Sequence, residues 1–130
     1  MNSYWRESVR SEIVSRDSLV SNIDVDIAIV GAGYSGLWTA YYLKKLRPDA
    51  RVAVIESNQV GFGASGRNGG WCSGFLPMTL RELEKQHNRQ AAIEMCRQSF
   101  ATIDEIEKII ADENIDCDFH RGGTIHGATN

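Results

Sequence analysis

DVDIAIVGAGYSGLWTAYYL, residues 24–43, decides the fold. Val25, Ile27, Ile29 and Val30, with Ala28 among them, form a short run rich in β-branched residues, the pattern of a parallel strand buried on both faces. The run stops at Gly31-Ala32-Gly33-Tyr34-Ser35-Gly36, and a helical rhythm follows with Leu37, Ala40, Tyr41 and Leu43. The predicted order is strand, glycine turn, helix. Gly31 lets the chain leave the strand sharply, and Gly33 has no side chain where a pyrophosphate must approach the backbone. Gly36 allows the helix to lie close to the sheet. The amides that open the helix, around Tyr34 and Ser35, face outward at the positive end of its dipole and suit a diphosphate.

Three glycines at this spacing occur in many turns, so the context carries the reading. Pro48-Asp49 closes the helix, and Arg51-Val52-Ala53-Val54-Ile55-Glu56 follows as a second apolar strand ending in an acid. Glu56 stands at the distance from the glycines that a dinucleotide fingerprint requires. A carboxylate there can accept both ribose hydroxyls of an adenosine and repels a 2′-phosphate. The unit is therefore predicted to be α/β, a partial Rossmann-like βαβ unit that binds a dinucleotide.

Composition excludes little and agrees with a soluble globular protein: 42% hydrophobic, 24% charged, 130 residues. Fourteen basic against 17 acidic side chains leave a net charge of −3, so no nucleic-acid partner is expected. Cys72, Cys96 and Cys117 are sparse, odd in number and unclustered, which fits a reducing compartment. The sequence has no membrane span and no signal-peptide core, and a cytoplasmic location is expected. Two clear strands and two helices are fewer than a dinucleotide-binding sheet plus a substrate surface require. Residues 122–130 also read as a strand just beginning. An N-terminal portion of a larger enzyme is expected, with residues 1–22 a polar extension and 23–130 part of a cofactor-binding domain. Residues 115–130 are expected to lead toward a substrate domain.

In the extension, Tyr4 and Trp5 read as surface anchors rather than ligands. After Glu56 and Ser57 comes a stretch with glycine at 61, 63, 66, 69 and 70, unsuited to a helix interior or a central strand. Its small residues Ala64 and Ser65 can lie flat against a planar or charged group. Backbone amides there can form an anion-binding nest, with Ser65 and Arg67 adding donors. From Thr79 the periodicity is helical: Leu80 and Leu83, then Ile93, Cys96, Phe100, Ile103, Ile106 and Ile110. This predicts one long amphipathic helix, or two with a break near Asn88, ending at Asn114. Cys96 falls on the apolar stripe and His87 in a polar stretch. Residues 115–119 alternate as a short strand does. Asp116 and Asp118, near His120 and His126, have no further ligand set, and no metal site is assigned. No nucleophile–base or paired-carboxylate arrangement can be placed, so no catalytic residue is assigned.

The stretches IVGAGYSGLWTAYYL, VAVIES and VGFGASGRNGG together resemble the FAD-dependent amino acid and amine oxidases of the D-amino-acid oxidase superfamily, in the branch typified by γ-glutamylputrescine oxidase. The opening Ser3-Tyr4-Trp5 and the closing CDFHRGGTIHGA are similar to that branch as well, so the resemblance spans nearly the whole chain. GASGRNGG is its most specific piece.

The resemblance implies that Gly31, Gly33 and Gly36, with Tyr34 and Ser35, approach the FAD pyrophosphate, and that Glu56 with Ser57 holds the adenosine ribose. It implies that Gly63, Ala64, Ser65, Gly66, Arg67, Asn68, Gly69 and Gly70 run beside the pyrophosphate toward the flavin. Some relatives with covalent flavin carry a histidine in the equivalent loop; none lies between Glu56 and Leu83, so non-covalent FAD is expected. The implied reaction passes a hydride from the carbon beside the nitrogen of an amine or amino acid to the flavin. Imine hydrolysis follows, with oxygen or another acceptor reoxidising the cofactor. Two rivals remain: an NAD(P)-dependent dehydrogenase, which leaves GASGRNGG unexplained, and a truncated nucleotide-binding module without activity of its own.

Overall fold

Two apolar runs pair in parallel: β1, Ile27–Val30, lies beside β2, Val52–Ile55, with Ile27 opposite Val52 and Val30 opposite Ile55. The computed structural model describes residues 3–125 and residue 127. Within them the chain divides into two units between Gly70 and Trp71.

In the first unit a short helix, α1 (Tyr4–Ser8), precedes β1, and α2 (Tyr34–Leu46) makes the crossover from β1 to β2. Asp26 ties the strand starts together: its amide donates to the Arg51 carbonyl at 3.0 Å, and its carboxylate accepts the Arg51 amide at 2.7 Å. That amide bond, then the Arg51 guanidinium, holds the Asp26 carboxyl below its usual range. Lysines 44 and 45 occupy the last turn of α2, where the dipole favours cations. Lys44 reaches the carbonyls of Pro48 and Ala50 beyond the helix end. Along α2, Trp38 stacks on Tyr42 with ring centroids 5.7 Å apart, and Lys45 lies over Tyr41.

The expectation of strands covered on both faces is not met. Val30 is 88% exposed and Val54 37%. The reason is geometric: the described sheet has two strands, so each is an edge, and α2 packs against this sheet from one side.

The second unit is a pair of helices in contact, α3 (Leu80–Gln86) and α4 (Arg89–Asp112). A capping box starts α3: the Thr79 hydroxyl accepts the Glu82 amide while the Glu82 carboxylate accepts the Thr79 amide. Asn88 then caps α4 through the Ala91 amide at 2.9 Å, which is the expected break. Asn114, at φ +51°, ends it, with the Ile115 amide returning to the Ile110 carbonyl at 2.9 Å. Leu83, Ala92 and Ile109 are the covered apolar positions of this unit. Cys96 is only partly covered and Phe100 is 47% exposed. The buried seam thus lies one position before the predicted stripe at both Ile93 and Ile110, where α3 and its flanks approach.

Residues 115–119 do not form the predicted strand. Asp118 takes φ +51°, a left-handed conformation that breaks extended alternation. Arg121 instead folds this segment back on α4, pairing with Asp104 at 2.6 Å and Glu107 at 2.8 Å. Residues 122–125 are likewise not in a strand, while His126 and residues 128–130 lie outside the described residues.

Candidate functional site

The Gly31 turn, Glu56 and Ser65 come together at the C-terminal end of β1 and β2. The Gly31 amide extends the parallel ladder by donating to the Ile55 carbonyl at 2.7 Å, and Gly31 itself turns at φ +98°. A Cβ on Gly36 would lie 2.0 Å from the Gly31 carbonyl oxygen, so only glycine lets α2 begin against its own turn. Gly33 is the N-cap residue of α2 and has no capping side chain of its own.

A second turn repeats the device. Gly61, at φ +69°, and Gly66 stand at the same five-residue spacing, and a Cβ on Gly66 would lie 2.2 Å from the Gly61 carbonyl oxygen. A 3-10 turn over Ala64–Gly66 fills the interval. The two turns are stitched together, because the Gly61 amide donates to the Ala32 carbonyl at 2.9 Å. The Tyr34 amide, first in α2, donates to the Ser65 hydroxyl at 3.0 Å. Ser65 therefore sits at the helix start, and a Cβ on Gly33 would come within 2.9 Å of its oxygen.

Glu56 closes the arrangement from β2. Its carboxylate accepts the Ala32 amide at 2.9 Å, the Asn58 amide at 3.0 Å and the Ser57 hydroxyl at 3.2 Å. The Ala32 bond first, then that of Asn58, holds this carboxyl below its usual range. Ala32 is 2% exposed, so its amide depends on Glu56. Glu56→Ala therefore strips a buried amide of its acceptor.

Asn68 bridges the two turns. Its side-chain amide donates to the Tyr34 hydroxyl at 2.9 Å and the Ser65 carbonyl at 2.7 Å, and its oxygen accepts the Gly70 amide at 2.7 Å. Of the other assigned residues, Arg67 lies over the Phe62 ring, 4.7 Å from its centroid. The Ser35 carbonyl accepts the Thr39 hydroxyl. Gly63 and Gly69 face open space. Sequence reasoning missed Ala32, Asn58, Gly61 and Trp5; the five-residue repeat of glycine pairs was the available signal for Gly61. Among the described residues, no group of three or more His, Cys, Asp and Glu side chains is placed to hold a metal ion.

A family model described as FAD dependent oxidoreductase, DAO, matches residues 26–130. The chain belongs to this family. Among curated proteins, this DAO-family chain is 34% identical over 122 residues to γ-glutamylputrescine oxidoreductase of Escherichia coli, covering 94% of the chain and 28% of that protein. It is 33% identical, with the same coverage, to the probable oxidoreductase OrdL of Haemophilus influenzae. A thiamine thiazole synthase of Ajellomyces capsulatus is 43% identical over 82 residues, covering 59% of the chain and 23% of that enzyme. The chain thus spans about 28% of the length of its first relatives. No solved structure gives a significant match. Among the described residues, no helix is long and apolar enough to cross a membrane.

Family membership implies a flavin cofactor, and the donor set fits one. The turn at Gly31 and the start of α2 suit a diphosphate, the Ser65 hydroxyl that sits there can donate to it, and the Glu56 carboxylate retains acceptor capacity for a ribose hydroxyl.

The lowered Glu56 carboxyl sets a pH dependence. A group whose value is depressed by folding contributes fully above its ordinary range and loses that contribution as the pH falls through the lowered value. Flavin retention is therefore expected to stay flat across neutral pH and to fall only below the usual glutamate range. Glu56→Gln is expected to weaken FAD binding about tenfold at neutral pH and to flatten that acid limb. Equilibrium dialysis across pH checks both; an acid limb unchanged in the variant assigns it to another group.

Proposed function

We propose that this chain is the N-terminal, FAD-binding part of an enzyme that oxidises the carbon–nitrogen bond of an amine or amino acid. The observation that carries the reading is the pair of stitched glycine turns, which bring a helix start, the Ser65 hydroxyl and the Glu56 carboxylate around one bend. The near-complete coverage of the chain by a γ-glutamylputrescine oxidoreductase supports an amine over a thiazole-forming substrate, since the synthase likeness covers a smaller share.

In this reading Gly31, Gly33 and the amides of Ser35 and Gly36 line the diphosphate, with Ser65, held by the Tyr34 amide, donating from the second loop. Glu56 holds the adenosine ribose while Ser57 and Asn58 steady its carboxylate. Residues 63–70 continue toward the flavin, and Asn68 fixes their path. FAD, bound non-covalently, supplies a two-electron acceptor; the amine becomes an imine that water hydrolyses, and oxygen or another acceptor takes the electrons onward. The chain contributes binding and orientation, and residues that contact the substrate belong to other parts of the protein. Three free cysteines, two of them exposed, support a reducing, cytoplasmic setting.

The test is purification of the whole protein. FAD is expected to copurify and be released by denaturation; a colourless protein that binds NAD or NADP instead would overturn the reading in favour of a dehydrogenase. Gly33→Val is expected to abolish loading, because its branched side chain fills the space that faces Ser65, where a Cβ alone reaches 2.9 Å. A valine variant that still carries flavin contradicts that placement.

A further inference from the structure

We infer that α1 is a brace for the flavin loop and that Trp5 is its positioning residue, acting through Asn68; the inference rests on the FAD reading above. The indole N–H of Trp5 donates to the Asn68 carbonyl at 2.7 Å across a separation of 63 residues. Its ring also lies flush against Gly70, where a Cβ would come within 2.5 Å of the Trp5 ring and where φ is +73°. One side chain therefore holds the loop at two neighbouring points.

From Asn68 the contact passes directly to the cofactor residues. Both N–H donors of its side-chain amide are engaged, one by the Tyr34 hydroxyl and one by the Ser65 carbonyl. Tyr34 opens α2, and Ser65 receives its amide. The brace has its own local support: Ser3 caps α1 through the Arg6 amide at 3.3 Å, and Tyr4 meets Trp5 edge-on with ring centroids 5.0 Å apart. A loop this rich in glycine loses much backbone entropy when fixed. An early-chain segment that holds Asn68 and Gly70 reduces the freedom that cofactor binding must still remove.

Trp5→Phe in the whole protein tests this, since it keeps a ring against Gly70 and deletes the N–H. FAD is expected to dissociate about fivefold faster, in line with one lost hydrogen bond. In the apoprotein, amide exchange over residues 65–70 is expected to accelerate while exchange in β1 and β2 stays unchanged, a local pattern that a general loss of stability does not give. Trp5→Ala, which also removes the ring, is expected to exceed both effects. Unchanged flavin release and unchanged loop exchange in both variants would overturn the brace. The exchange measurement needs no flavin, so it judges the brace separately; failure of the unmodified protein to retain FAD overturns the cofactor reading instead.

Discussion

Gly36→Ala is expected to yield a protein that carries no flavin and melts well below the parent. The methyl group would sit 2.0 Å from the Gly31 carbonyl oxygen and 3.1 Å from its carbon. These are backbone atoms, so no rotamer change relieves the clash. Ile29 closes the third side at 3.5 Å. Either α2 shifts off the sheet or the turn at Gly31 opens, and both break the junction on which the first unit is built. Overpacking of this kind costs about 3 kcal/mol, and more where backbone must move. Gly63→Ala is the matched control for stability, because a Cβ there meets nothing within 4 Å and φ is −76°. Thermal melts of the two variants check the contrast; equal melting temperatures would show that α2 does not begin against the turn.

Gly66→Ala is expected to separate cofactor loss from unfolding. Its Cβ would lie 2.2 Å from the Gly61 carbonyl oxygen, again backbone. This clash lies in the second loop, outside the β1–β2 pairing, and leaves the close approach of Gly36 to Gly31 untouched. The 3-10 turn over Ala64–Gly66 opens, and Ser65 leaves the Tyr34 amide. FAD affinity is expected to fall about a hundredfold, equivalent to losing two charge-assisted bonds. The melting temperature of the apoprotein is expected to fall less than in Gly36→Ala. Flavin titration beside a thermal melt decides the matter, and an affinity within threefold of the parent, on the roughly 1.4 kcal/mol per decade scale, removes the second loop from the site.

The βαβ unit was legible because each of its parts leaves a local mark. Strands show in β-branched runs, α2 in its apolar rhythm and Pro48, and the α3–α4 break in Asn88 and the Thr79–Glu82 pair. The positions of Gly31, Gly36 and Glu56 follow from spacing alone. What stayed hidden depends on contacts between distant residues. Nothing near Ala32 says that its amide will depend on Glu56, and nothing near Trp5 marks it as a partner of Asn68. Residues 115–119 misled because alternation over so few residues is weak, and one left-handed residue, Asp118, was enough to defeat it. The exposed face at Val30 and Val54 has another cause: burial is a property of the neighbours a strand is given, and among the described residues β1 pairs with β2 alone.

The most direct measurement is a crystal structure of the whole protein with FAD. The diphosphate oxygens are expected within hydrogen-bond distance of the amides at the start of α2 and of the Ser65 hydroxyl, with the adenosine ribose on Glu56. A diphosphate bound elsewhere, with Ser65 and Glu56 touching only protein, would contradict the assignment of this bend to the cofactor.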